Sequence, residues 1–153
     1  MKPDIFDRVM SLPLLRIFQP FYHKHKEVLL YLFFGGLTTV ISIAAFALFY
    51  QLLGLNELIA NVLSWILAVL FAFFTNRIWV FSAPTNGAGE FLRQMLSFFG
   101  GRLATLIVEE LILLVFVTWL ALPAVPVKIM AQVVVVVLNY VISKLFVFRH
   151  NSG

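Results

Sequence analysis

Four apolar stretches, at about 28–50, 57–77, 93–120 and 126–146, take up most of this 153-residue chain. A helix needs about 20 apolar residues to cross the hydrocarbon core of a bilayer. Four such stretches joined by short breaks at 51–56, 82–89 and 123–126 leave no room for a soluble catalytic domain. The composition agrees, with 62% of residues hydrophobic and 12% charged, against about 45–50% and 25% in a soluble domain. The fourth stretch carries five consecutive valines at 133–137, which in a soluble protein would suggest a buried strand. In lipid an open strand edge is prohibitive, so a helix is expected there too. The expected fold class is an all-α membrane protein with four transmembrane helices.

Residues 1–27 read as a separate N-terminal segment. They contain Asp4, Asp7 and Glu27 and lack a small-residue cleavage site after an apolar run, unlike a signal peptide. Apolar Ile5, Phe6, Val9 and Ile17 interleave with Arg8 and Arg16, and Pro13 interrupts any single helix. The expectation is a broken amphipathic segment on the membrane surface. The transmembrane domain would then span 28–149. Lys2, Arg8, Arg16, Lys24 and Lys26 precede the first span, Arg77 and Arg93 flank the middle break, and Lys144 and Arg149 follow the last span. The other two breaks offer only Lys128. The positive-inside rule therefore places both termini in the cytoplasm. No basic face lies outside lipid-length apolar sequence, which excludes a nucleic-acid partner.

The chain repeats itself. Phe33-Phe-Gly-Gly recurs 65 residues later at Phe98, and Asn76-Arg-Ile-Trp-Val-Phe recurs 67 residues later as Ser143-Lys-Leu-Phe-Val-Phe. Each half, 28–81 and 90–148, is an outgoing and a returning helix. The expected arrangement is two parallel-oriented two-helix repeats, which in transporters place the site at the repeat interface.

Charges inside the apolar stretches mark that site. Arg102, Glu109 and Glu110 lie in the third stretch, where each charge costs about 2.5–3.5 kcal/mol at the helix centre on insertion scales. Arg102 and Glu109, seven residues apart, share one helix face, whereas adjacent Glu110 is turned by about 100° and faces another helix or a second subunit. Glu109 could pair with Arg102 in the empty protein or exchange a proton. Arg77 and Lys144 occupy equivalent places at the ends of the second and fourth spans, and with Arg102 they would ring one cytoplasm-facing mouth. Such a ring suits an anionic phosphate. Arg102 lies near the interface if the apolar core of its span begins at 103, and nearer the midplane if the span begins at 91. Asn76, Asn139 and Ser143 would hold phosphate or sugar oxygens or bond across helices. Gly35-Gly36 and Gly100-Gly101 suggest close helix packing. No cofactor is expected. His23 and His25 give weak grounds for a metal, and the chain has no cysteine.

The pattern Phe34-Gly-Gly, Asn61 and Asn76-Arg-Ile-Trp-Val-Phe81, followed by Phe99-Gly-Gly-Arg and Asn139-Tyr-Val-Ile-Ser-Lys-Leu-Phe-Val-Phe148, resembles the GtrA-like family over about 27–149. The resemblance implies a small four-helix protein of a bacterial cytoplasmic membrane. It implies movement of polyprenyl-phosphate-linked sugars for glycosylation of cell-wall polymers such as teichoic acids. The implied partners are that lipid, bulk membrane lipids and glycosyltransferases of the same pathway, and a homodimer is plausible for so small a bundle. By the same resemblance Asn76, Arg77, Arg102, Asn139, Ser143 and Lys144 are site residues. Ala72 stands where the second half has Asn139, so an asymmetric site is expected. A small multidrug-type proton antiporter and a non-transporting subunit that recruits a glycosyltransferase are the alternatives.

Overall fold

The computed structural model describes residues 2–83 and 86–148. All regular structure in them is helical. A short helix α1 (Ile5–Met10) and a 3₁₀ turn (Arg16–Phe18) lead into α2 (Gln19–Ala47), followed by α3 (Glu57–Thr75), α4 (Ala88–Leu113) and α5 (Ala124–Ile142). The helix that forms the first span begins at Gln19, before the apolar stretch. Pro20 suits its first turn, and the backbone leaves helical geometry at His25 (φ −118°, ψ 18°). The valine run at 133–137 is helical, as the bilayer argument requires. The segments 16–52 and 62–80 are each long and apolar enough to cross a membrane.

Each long helix ends in a π-helical turn: Leu48–Leu52, Asn76–Val80, Leu114–Trp119 and Ser143–Val147. The first three are followed by a left-handed residue, Gly54 (φ 64°), Ser82 (φ 45°) and Ala121 (φ 52°). The next N–H then returns to a helix carbonyl: Leu55 to Phe49 at 3.0 Å, Ala83 to Arg77 at 2.9 Å and Leu122 to Phe116 at 2.9 Å. These bonds satisfy carbonyls that a helix end would otherwise leave without donors.

The two halves are hairpins, α2 packed along α3 and α4 along α5. Their matched ends meet. Phe81 and Phe148 stack at 5.4 Å with planes 19° apart, and Val80 and Val147 are buried beneath them. In both, the terminal Phe N–H bonds back to the residue opening the π turn, Asn76 or Ser143, at 2.9 Å. The hairpins join where α3 meets α4, through Phe73 on Phe98 (5.6 Å) and Trp65 on Phe99 (5.8 Å). Outward faces are apolar, as at Leu67, Leu103, Ile107 and Val137, which suits contact with lipid.

The paired glycines differ. A Cβ on Gly101 would meet Ile142 Cγ2 at 2.8 Å, whereas Gly35, Gly36 and Gly100 have nothing within 4 Å. Close packing is thus confined to Gly101. Gly101→Ala is expected to lower the unfolding temperature in detergent, at the cost of about 1–3 kcal/mol typical of overpacking. Gly36→Ala is expected not to lower it, since its Cβ meets nothing and alanine favours the helix by about 0.5–1 kcal/mol.

Helix α1 is too short to persist alone. Asp4 caps it in a box with Asp7, the reciprocal N–H bonds being 2.9 and 3.0 Å. It docks on α2: Lys26 Nζ lies 2.6 Å from Asp4 and 2.8 Å from Asp7, and the Phe6 ring meets Phe34 at 5.6 Å. Burial alone would raise the Asp7 pKa, but the hydrogen bonds from Lys26 and the Asp4 N–H, with the Lys26 charge, bring it below the ordinary 3.8. A depressed carboxylate adds stability above its unfolded pKa and loses it as pH falls through the folded one. The protection factors for hydrogen exchange of residues 5–10, taken relative to the unstructured chain at each pH, are therefore expected to be flat between about pH 5 and 8 and to fall only below about pH 4. Beyond α1, Leu14, Ile17, Phe18 and Phe21 stay exposed.

Candidate functional site: a polar cavity inside the bundle

Helix α4 sets the depth of the site. Arg93 donates to the carbonyls of Phe146 and Val147 at 3.3 Å each, which fixes it at the end where α5 stops. Arg102 lies nine residues further along, roughly 14 Å deeper, and Glu109 about 10 Å beyond that at 1.5 Å per residue. Arg102 therefore lies well along α4, away from the end that Arg93 marks.

Arg102 lines a cavity with two adjoining lobes of about 410 and 380 Å³. Both lobes share Thr38, Thr39, Ala72 and Asn139; the first adds Asn76 and Tyr31, the deeper one Ser42, Thr105 and Glu109. The guanidinium carbon sits 4.8 Å from the centre of the Phe98 ring, a cation–π contact that orients it, and it faces the Tyr31 hydroxyl. Glu109 is 7% exposed and lines the same lobe as Arg102. The Glu110 side chain lies outside the described residues.

Two amides shape the walls. The Thr105 hydroxyl lies 2.8 Å from Asn139 Oδ1, joining α4 to α5. Asn76 Nδ2 donates to the Ala72 carbonyl at 2.7 Å. That bond fixes the amide's orientation and leaves Asn76 Oδ1, in a residue 3% exposed, as a buried acceptor with no partner among the described residues. A buried acceptor of this kind costs about 1–3 kcal/mol unless a donor meets it.

Arg77, Lys144 and Ser143 lie elsewhere. Arg77 Nε donates to Gln94 Oε1 at 3.2 Å, and its guanidinium covers the Phe91 ring at 5.2 Å. Lys144 pairs with Glu27 at 2.9 Å and lies 3.4 Å from the Tyr140 hydroxyl. Ser143 is buried and opens the last π turn. Of the six residues expected to hold the ligand, the structure gathers Arg102, Asn76 and Asn139. The expected three-cation ring does not form around one mouth, because the π turns that carry Arg77 and Lys144 aim them at α4 and α2 respectively. Sequence reasoning passed over Tyr31 and Thr105 as site residues. Tyr31, Gly35, Thr38 and Ser42 form one helical stripe at steps of four, three and four, a signal visible in the sequence.

A family model described as the GtrA/DPMS transmembrane domain matches residues 30–148. The chain belongs to that family. Among curated proteins it is similar to the cell wall teichoic acid glycosylation protein GtcA of Listeria innocua, 39% identical over 131 residues that cover 85% of this chain and 90% of the relative. The GtcA of Listeria monocytogenes serovar 1/2a is also 39% identical, over 80% of this chain and 85% of its own length. YwcD of Bacillus subtilis, described as an uncharacterized membrane protein, is 32% identical over 78% and 94%. This GtrA/DPMS member is thus a membrane protein whose matched region contains the whole cavity. Helix α1 lies outside the region matched by the family model.

Proposed function

We propose that this protein translocates a polyprenyl-phosphate-linked monosaccharide across a bacterial cytoplasmic membrane, for glycosylation of a cell-wall polymer such as teichoic acid. The observation that carries the reading is that one cavity is lined by both the Arg102 cation and Asn76, whose buried Oδ1 acceptor has no partner among the described residues. Arg102 would take the phosphate, since guanidinium binds phosphate oxygens bidentately. Asn76 Oδ1 would accept a hydrogen bond from a sugar hydroxyl. The Arg102 charge repels a lipophilic cation, which disfavours the multidrug-type reading. Thr38, Thr39, Ser42, Thr105, Glu109 and Asn139 supply polar groups along the two lobes, a path on which sugar hydroxyls would find hydrogen-bond partners. The protein supplies no bond-breaking step in this reading. Arg77 and Lys144 act outside the cavity, at the end that the positive-inside rule assigns to the cytoplasm.

The test uses purified protein in vesicles without any glycosyltransferase. The expected result is transfer of a polyprenyl-phosphate hexose between leaflets and no movement of a lipophilic cation. Cation transport, or no transfer unless a glycosyltransferase is added, would overturn the proposal.

A further inference from the structure

The fold's approximate two-fold repeat pairs the seam between α3 and α4 with the seam between α5 and α2. The first is shut by rings, Phe98 on Phe73 and Phe99 on Trp65. The second is not. Its matching ring, Phe33, is turned toward α1, 5.8 Å from Phe6, and is 52% exposed. Among the described residues α2 and α5 do not pack side by side along their length. They touch at one end, where Tyr31 meets Tyr140 at 5.3 Å and Glu27 accepts from the Tyr140 hydroxyl at 2.6 Å while pairing with Lys144. Deeper along, the cavity wall is Leu32, Gly35 and Gly36 on α2 and Val135 and Val136 on α5. The glycines leave open space there, and Leu32 and Val136 are both exposed to the surroundings of the bundle.

We propose that this seam is a subsite for the hydrocarbon chain of a lipid phosphate, which reaches Arg102 sideways from the bilayer, beneath the Glu27–Tyr140–Lys144 closure. The proposal rests on the reading that Arg102 and Asn76 hold a phosphate-linked sugar. An apolar rim beside an unpartnered, buried Asn76 acceptor and an interior arginine fits a ligand with both an alkyl chain and a polar head. A water-soluble phosphate would have no use for the rim. Glycine at 35 and 36 keeps the chain's path clear, which explains why only Gly101 of the four glycines is needed for helix contact.

A Cβ at Gly36 meets nothing within 4 Å, so the side chain of Gly36→Leu starts in open space and extends into the seam. It is expected to fold as wild type and to weaken binding of a polyprenyl phosphate by about tenfold or more, the scale of an overfilled site. Binding of a water-soluble hexose phosphate is expected to stay as in wild type. A polyprenyl phosphate bearing a photoreactive group on its chain is expected to label Leu32, Val135 or Val136 in the unmodified protein. This arm needs no variant. Labelling confined to the outer faces of α3 and α4, or unchanged lipid binding by folded Gly36→Leu, overturns the lateral subsite. Loss of both lipid and soluble phosphate binding in folded Gly36→Leu would also overturn it, by placing the substitution's effect on the head rather than the chain. Arg102→Gln is run alongside. If it too binds lipid phosphate normally, the phosphate reading itself fails; if it alone loses binding, only the seam is lost.

Discussion

Arg102→Ala is expected to insert and fold at least as well as wild type and to lose lipid-linked sugar transfer almost completely. The two halves of this expectation come from one physical fact. An arginine inside a membrane helix costs about 2.5–3.5 kcal/mol on insertion scales, so removing it should not impair insertion. A residue whose loss spares the fold but not the activity is kept for the ligand. A hydrogen bond to a charged group contributes about 1.5–3 kcal/mol, and a phosphate on a guanidinium makes two. The expected fall in affinity is about 100-fold or more. Arg102→Lys should recover part of it, because the charge remains while the planar fork and the stacking on Phe98, 4.8 Å away, are lost. Binding of polyprenyl phosphate to purified variants and leaflet transfer in vesicles measure the two effects separately. Undiminished transfer by Arg102→Ala would remove Arg102 from the mechanism.

The repeat was legible in the sequence because it is written in matched residues with matched jobs. Phe81 and Phe148 occupy equivalent positions and stack on one another. The helix count followed from apolar length alone. The aim of the cations did not follow. Arg77 and Lys144 stand second in equivalent π turns, where the helix widens and rotates its side chains, so a helical-wheel argument from α3 or α5 misplaces both. The caps were hidden for a related reason. Ser82 and Ala121 take the left-handed conformation usually given to glycine, as Gly54 does in the first loop. The open seam was hidden because it depends on where Phe33 points, and that is decided by α1, a segment outside the repeat. The glycine pairs read alike in sequence, yet Gly101 meets Ile142 and Gly36 meets nothing. The asymmetry expected from Ala72 opposite Asn139 is a matter of residue identity, whereas this one is a matter of packing.

Phe73→Ala is expected to be the most destabilising single substitution in the bundle. Phe73 is fully buried, with ring centres 5.6 Å from Phe91 and Phe98 on α4 and 5.7 Å from Phe148 at the end of the second hairpin. It is the point where the first hairpin grips the second. Lipid tails are as apolar as the ring, so little hydrophobic gain holds the hairpins together; dispersion and ring geometry do. Aromatic pairs contribute about 0.5–1.5 kcal/mol each, and three of them across the hairpin boundary come to about 1.5–4.5. That range meets the about 3–5 kcal/mol cost of Phe→Ala at a packed site. Phe146, on the lipid side and 66% exposed, supplies the comparison: Phe146→Ala should change stability by no more than about 0.5 kcal/mol. Thermal unfolding of both variants in the same lipid nanodiscs decides the matter. Equal unfolding temperatures would mean that the aromatic cluster does not hold the halves together, and that the α3–α4 seam is no more closed than its open counterpart.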